Sequence, residues 1–377
     1  MEKILFITNI SGEKIGSFSI AAIQAAHKCN LEFHMASNFN ASTDEQMKID
    51  EKNHNIKLHH IDIVRNPMNL KNIVAYKQIV DLIKKENIDI IHCNTPVGGA
   101  LGRLAGKKCG IKKVIYQAHG FHFYKGAPKL NWLIYYPIER FLAHLTDNLI
   151  TINKEDYEIA QKFNLRNTGK VYYVPGVGID INEFQDVDVD IRKLRSEFGC
   201  LDNDIVAISA GRLDKNKNNE TLIRAISLLE NQKIKLVICG DGVEKQNLID
   251  LAEKLNLEDR VKFLGNRSDM KELYKAADIF VMASFREGLS RSIMESMASG
   301  LPCIVTNIRG NCDLVEDGKG GFLVKPIAKA FAEKIKVLEK NKVRINMGNY
   351  NQDIINEFSL ENVVSRIVNI YSSLEIN

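Results

Sequence analysis

The chain has 377 residues, of which 45% are hydrophobic and 26% charged, with 24 Gly and 7 Pro. That is the composition of a soluble globular protein of two ordinary domains, and it excludes disorder, collagen and coiled coil. The formal charge is +4, divided as 23 Lys and Arg against 16 Asp and Glu up to residue 175 and 28 against 31 after it, and no nucleic-acid motif accompanies it.

The first apolar run, residues 4–10, is too short for a signal peptide and lacks a small-residue cleavage site. No later run approaches the roughly 18 residues of a membrane span. The expectation is a cytoplasmic protein. β-rich runs bounded by turn residues follow at 4–9, 31–37, 57–63, 89–94, 114–119, 149–153 and 171–175, with helical patterns between most of them. A second series occupies 205–210, 234–239, 261–264, 279–283, 303–307 and 322–324. Repeated strand–helix units predict parallel sheets covered by helices on both faces, hence an α/β chain of two Rossmann-like domains. Between the series lie Pro175-Gly176-Val177-Gly178 and an acidic patch at Asp186, Asp188 and Asp190, read together as the inter-domain linker. Open α/β sheets bind ligands at strand carboxyl ends, so the chemistry is expected in a cleft between the domains.

Seven cysteines without C-x-x-C spacing read as reduced core residues. All nine histidines lie at or before His144, and neither His59-His60 nor His119/His122 has a thiolate or carboxylate cluster at ligand spacing, so no metal is expected.

Two segments of the second half carry the strongest constellation. Gly211-Arg212-Leu213-Asp214-Lys215-Asn216-Lys217 follows the 205–210 strand and sets two cations beside a helix start. Backbone N–H groups, the helix dipole and Arg/Lys side chains suit a phosphate there, and a solvated basic loop explains the same residues. Phe285-Arg286-Glu287-Gly288-Leu289-Ser290 leads from the 279–283 strand into a helical pattern at 291–299, with Ser290 at the N-cap and Glu295 within the helix. A carboxylate accepts hydrogen bonds from two vicinal hydroxyls, which suits a sugar or ribose; two Glu eight apart also occur on ordinary surface helices.

Taken together, Gly211-Arg212-Leu213-x3-Lys217 and Glu287-x7-Glu295 resemble family 4 of the retaining glycosyltransferases. The likeness extends to Cys239-Gly240-Asp241-Gly242, Leu264-Gly265-Asn266-Arg267, Ala298-Ser299-Gly300-Leu301-Pro302 and Pro175-Gly176-Val177-Gly178-Ile179-Asp180. In the first half, residues 118–128, Thr95-Pro96-Val97-Gly98-Gly99, Asn131-Trp132 and Tyr135-Tyr136-Pro137 resemble the branch that builds bacterial exopolysaccharide and capsule. The departure is the first loop, where Gly12 and Gly16 are separated instead of paired.

The resemblance implies the GT-B architecture, two Rossmann-like domains facing a central cleft. It implies an acceptor-binding domain over 1–176, a nucleotide-sugar domain over 177–357, and a helix at 358–377 returning to the first domain. Val363, Val364, Ile367, Val368 and Tyr371 form that helix's apolar stripe. The implied reaction is transfer of a sugar, with retention, from a UDP-sugar to a lipid-linked glycan, without metal or cofactor. Carried over by position, Arg212, Lys217, Gly16, Gly288, Leu289 and Ser290 hold the donor diphosphate, and Glu295, Asn266 and Arg267 hold the nucleoside. Glu287 and His119 face the reacting centre, and His122 and Lys125 stand on the acceptor side. Asp186-Val187-Asp188-Val189-Asp190 matches the D-x-D of metal-using transferases, but is set aside as linker.

From residue 90 to 138 there is no acid, while Arg103, Lys107, Lys108, Lys112, Lys113, Lys125 and Lys129 are basic and six aromatics fall between Phe121 and Tyr136. That mixture suits peripheral docking on an anionic inner membrane surface through the Arg103–Lys129 region, and a partly buried helix accounts equally for the aromatics. Two rivals stand beside the transferase: a nucleotide-sugar epimerase of similar two-domain fold, and a non-catalytic partner subunit. The Arg212/Lys217 and Glu287/Glu295 set favours transfer.

Overall fold

The computed structural model describes residues 1–373. The chain divides into two compact units. One comprises Met1–Gly178 and the segment from Leu360 onward, and the other Ile179–Ser359.

The first unit is built on a seven-stranded sheet: β1 (Lys3–Ile10), β2 (Glu32–Asn38), β3 (Lys57–His60), β4 (Ile90–Asn94), β5 (Lys113–Ala118), β6 (Asn148–Thr151) and β7 (Lys170–Tyr173). Every pairing is parallel and the order is β3-β2-β1-β4-β5-β6-β7. Ile4, Leu5, Phe6 and Ile7 of β1 are all buried, as a central strand covered on both faces requires. The strand order reverses between β1 and β4, which leaves a crevice at their carboxyl ends.

The second unit repeats the plan with β8 (Ile205–Ala210), β9 (Ile234–Cys239), β10 (Val261–Gly265), β11 (Ile279–Met282), β12 (Cys303–Thr306) and β13 (Gly321–Val324), all parallel, in the order β10-β9-β8-β11-β12-β13. Its switch point lies between β8 and β11.

The helix Leu360–Ser372 packs on the helix Ser17–Lys28 of the first unit. It buries Val363, Val364, Ile367, Ile370 and Tyr371 in one cluster with Ile4, Phe6 and Ile90. Tyr371 is fixed by a 2.7 Å hydrogen bond between its hydroxyl and His92 Nδ1.

Several sequence expectations are corrected. The acidic patch is not linker: Asp190 accepts a hydrogen bond from the Lys193 N–H (3.1 Å) and caps the helix Ile191–Glu197 of the second unit. The crossing itself is at Gly178/Ile179. Arg103 is not a surface cation. It is fully buried, pairs with Glu139 at 2.9 Å and stacks 3.8 Å from the Tyr116 ring centroid. All seven cysteines are free, and Cys312 is exposed instead of in the core.

Candidate functional site

Two loops leave the carboxyl ends of β8 and β9 and are laced together. The N–H of Gly211 donates to Cys239 O (3.0 Å), that of Leu213 to Asp241 O (2.9 Å) and that of Glu244 to Leu213 O (2.9 Å). The contact is so close that a Cβ on Gly240, whose φ is +133°, would stand 1.9 Å from Gly211 O. Only glycine fits there.

A third loop, after β11, is tied to the first. The Phe285 N–H donates to Asn216 O (2.8 Å), Asn216 Nδ2 to Arg286 O (3.0 Å) and Asn218 Nδ2 to Ala283 O (3.1 Å). These bonds bring Lys217 Nζ to 2.7 Å from Glu287 Oε1. Both side chains are mostly buried, so their attraction is screened less than at an open surface.

The three loops, the turn after β10, and the helices Met270–Ala276 and Arg291–Ala298 line an open cavity of about 400 Å³. Arg212, Lys217, Asn266, Arg267, Glu287, Leu289, Ser290 and Glu295 line it, joining eight of the residues singled out in the sequence. Gly288 stays in the loop, packed so tightly against Gly310 that a Cβ there would lie 2.3 Å from its oxygen. Ser290 occupies the N-cap position, but its hydroxyl pairs with Ser292 (3.1 Å) instead of capping a backbone N–H. Arg267 is held by Asp269. Glu295 is clasped by Arg291 (2.6 Å) and receives the Tyr274 hydroxyl at 3.4 Å. Burial pushes the Glu295 carboxyl up, against the pull of Arg291. Its proton is therefore held more tightly than that of an ordinary Glu.

The remaining candidates lie in the first unit. Gly16 is the N-cap residue of the helix Ser17–Lys28. Phe18, two residues on, stacks on the His119 ring with centroids 4.2 Å apart. His119 Nε2 meets Asn94 Oδ1 at 3.0 Å. The packing around the ring, and secondarily His92, pushes its pKa down to about 3, so His119 is neutral at physiological pH. Thr95, at φ +64°, turns the chain after β4, its hydroxyl donating to Asn9 Oδ1 (2.7 Å). His122 lies against Tyr135 (4.7 Å between centroids), and Lys125 is exposed. Among the described residues no group of three or more His, Cys, Asp or Glu could hold a metal ion.

Two cations, Arg212 and Lys217, and two carboxylates, Glu287 and Glu295, thus face one cavity, side chains able to bond phosphate oxygens and hydroxyls. Residues 190–354 match the family model of glycosyl transferases group 1, and residues 3–153 that of glycosyl transferase 4-like domains. EpsD of Bacillus subtilis (strain 168), assigned as a glycosyltransferase, is 36% identical over 99% of this chain and 97% of its own. The UDP-Gal:alpha-D-GlcNAc-diphosphoundecaprenol alpha-1,3-galactosyltransferase of Escherichia coli is 32% identical over 84% of this chain and 83% of its own.

The chain belongs to the family 4 glycosyltransferases.

Its fold is GT-B. The crystal structure of Anabaena HepE in complex with UDP and glucose superposes with a TM-score of 0.80 at 23% identity, covering 99% of this chain and all of that one. In this glycosyltransferase Tyr274 and Arg291 are site residues that the motifs did not reveal. Arg291 stands four residues before Glu295 on one helix face, a spacing that could have been read. Tyr274 comes from the neighbouring helix Met270–Ala276, which no local pattern indicates. Asn94 was also passed over, because it meets His119 only through the pairing of β4 with β5.

Proposed function

We propose that this glycosyltransferase moves a sugar from a nucleotide-sugar, with UDP as the first candidate nucleotide, to a lipid-linked glycan during exopolysaccharide or capsule synthesis. It retains the anomeric configuration, needs no metal, and works in the cytoplasm at the inner face of the membrane. The observation that carries the reading is the convergence of Arg212, Lys217, Glu287 and Glu295 on one cavity at the switch point of the second sheet. The activity of the E. coli relative, with a UDP-Gal donor and a diphosphoundecaprenol-linked acceptor, supports it, as does the UDP bound in HepE.

Arg212 and Lys217 take the donor diphosphate, with Gly16 and the Gly288-Leu289-Ser290 turn as further contacts. Glu295 accepts from the ribose hydroxyls and Asn266-Arg267 meet the base. Glu287 and His119 address the transferred sugar, while His122 and Lys125 serve the acceptor. The acceptor oxygen bonds to the anomeric carbon as the bond to the leaving phosphate breaks, on the same face, and the acceptor proton passes to that phosphate. Negative charge grows on the leaving oxygen, so cations fixed there favour the transition state over the ground state.

Each hydrogen bond to a charged group is worth about 1.5–3 kcal/mol, so Lys217→Ala should slow turnover about ten- to a hundred-fold. The first test is thermal stability of wild type and Lys217→Ala against UDP-, GDP- and dTDP-sugars in EDTA. One donor should raise the wild-type melting temperature by several degrees at about a hundred times its Kd and leave the variant unmoved. Turnover of the donor without acceptor would instead favour an epimerase.

A further inference from the structure

The helix Lys129–Ala143 wears its apolar stripe on the outside. Leu130, Leu133, Ile134, Pro137, Ile138 and Phe141 recur at three- and four-residue steps, the spacing of one helix face. Leu133 is 74% exposed, Leu130 and Phe141 61%, Ile138 48% and Ile134 43%. The opposite side is what the fold uses: Glu139, Leu142 and Ala143 are buried, and Tyr136 packs on Phe123. A helix of a globular domain ordinarily turns such a stripe to the core, and contiguous apolar surface left outside marks an interaction site.

The charges around it are mainly basic, with one acid, Glu155, whose carboxylate accepts from the Lys125 N–H (2.5 Å). Lys125, Lys129 and Arg140 are exposed. The only acid of the helix, Glu139, is buried and engaged by Arg103 (2.9 Å) and the Tyr116 hydroxyl (3.2 Å). Exposed Lys107 and Lys108 end the preceding helix, which packs against this one.

We propose that the outer face of the Lys129–Ala143 helix docks this protein on an anionic lipid bilayer. The helix lies in the plane of the interface, with Leu130, Leu133, Ile134, Ile138 and Phe141 among the acyl chains and Lys125, Lys129 and Arg140 at the headgroups. An amphipathic helix with a cationic rim binds such a surface through buried apolar area and attraction to anionic lipid together. A second copy fits less well, since a two-fold contact through this face would set the same cations against each other. The proposal takes from the reading above only that the acceptor carries a lipid, and it is tested without any substrate.

The experiment is co-sedimentation of the full chain with phosphatidylcholine vesicles, with and without phosphatidylglycerol. The expected result is binding to the anionic vesicles that weakens with salt, and little to phosphatidylcholine alone. Leu133→Ser/Phe141→Ser should weaken binding about tenfold or more, because two large side chains no longer enter the acyl region. Lys129→Glu/Arg140→Glu should weaken it several-fold at low salt only. In all variants the donor-induced thermal shift stays. Wild type left in the supernatant, or binding indifferent to Leu133→Ser/Phe141→Ser, overturns the proposal, as does a dimer in solution that this double substitution dissociates. A lost vesicle interaction with an intact donor shift leaves the transfer reading standing, and the reverse result leaves this proposal standing.

Discussion

Glu295 responds to acid and His119 does not, and a donor held by Glu295 as proposed would bind with that pH dependence. Burial raises the Glu295 pKa, so on acidification it takes a proton before ordinary carboxylates do. His119, pushed down to about 3, keeps its charge state through the same range. Its Nε2 meets Asn94 Oδ1. Donor affinity measured by calorimetry should therefore fall as pH drops through the upper carboxylate range. In Glu295→Gln it should be about ten- to a hundred-fold weaker and flat. Stability moves the other way. A carboxyl whose folded pKa is raised contributes its stabilisation fully below the unfolded value and loses it as pH rises through the folded one. Glu295→Gln should thus raise the melting temperature at neutral pH and give no gain in acid. A pH profile of donor affinity identical in variant and wild type would assign the titration to another group. At this scale the sequence was only half legible. Arg212, Lys217, Glu287 and Glu295 carry a family pattern, but the Lys217–Glu287 ion pair joins positions 70 residues apart. Arg103, taken for a surface cation, finds its partner 36 residues on, at the very acid that ends the acid-free stretch. A buried ion pair leaves no local signature.

Elements were far more legible than contacts. Most of the thirteen strands among the described residues are short apolar runs rich in Ile, Val, Leu and Phe between turn residues, and such runs show whatever the tertiary surroundings; β3 (Lys57–His60) and β7 (Lys170–Tyr173) are the more polar exceptions. Helix orientation is different: periodicity reveals that the Lys129–Ala143 helix has an apolar stripe but not that the stripe faces out, because Tyr136 and Glu139 have been claimed by the core. Loop lacing was likewise hidden, although the glycines that permit it stood in plain view. Gly240 is the sharpest case. Alanine there places Cβ 1.9 Å from Gly211 O in a backbone conformation that L residues rarely adopt. Strained backbone of this kind costs about 1–3 kcal/mol before any collision is counted. Gly240→Ala should lower the melting temperature by several degrees. It should also abolish the donor-induced shift, because displacing Gly211 moves the side chain of Lys217, whose Cε lies 3.2 Å from where a Gly211 Cβ would stand. A variant that melts early yet binds donor normally would show that the two loops are not mechanically linked.

Across the whole molecule, the chain's two ends belong to the same unit, so a residue near the C-terminus holds up strands formed at the start. The chain leaves the first unit at Gly178, where φ is +76° and a Cβ would lie 2.6 Å from Leu360 Cα, and re-enters it at Leu360 itself. Exit and return are therefore side by side, and the returning helix closes the core over β1 and β4. Its anchor is the Tyr371 hydroxyl on His92 Nδ1, within wholly buried surroundings that push His92 down to about 3 and leave it neutral. Tyr371→Phe keeps the ring and its edge contact with His92, at 5.8 Å between centroids, but strands one imidazole nitrogen without water or partner. An orphaned buried polar group costs about 1–3 kcal/mol. Chemical denaturation should show that loss, and hydrogen exchange should show it as weaker protection of β1 and β4 amides, although His92 of β4 lies 279 residues before Tyr371. The donor-induced thermal shift and the protection of β8 and β11 should stay at wild-type values, because the cavity and its loops lie wholly within Ile179–Ser359. If β8 and β11 lose protection in step with β1 and β4, the two units unfold as one, and the helix Leu360–Ser372 then stabilises the donor site as well as the unit in which it is packed.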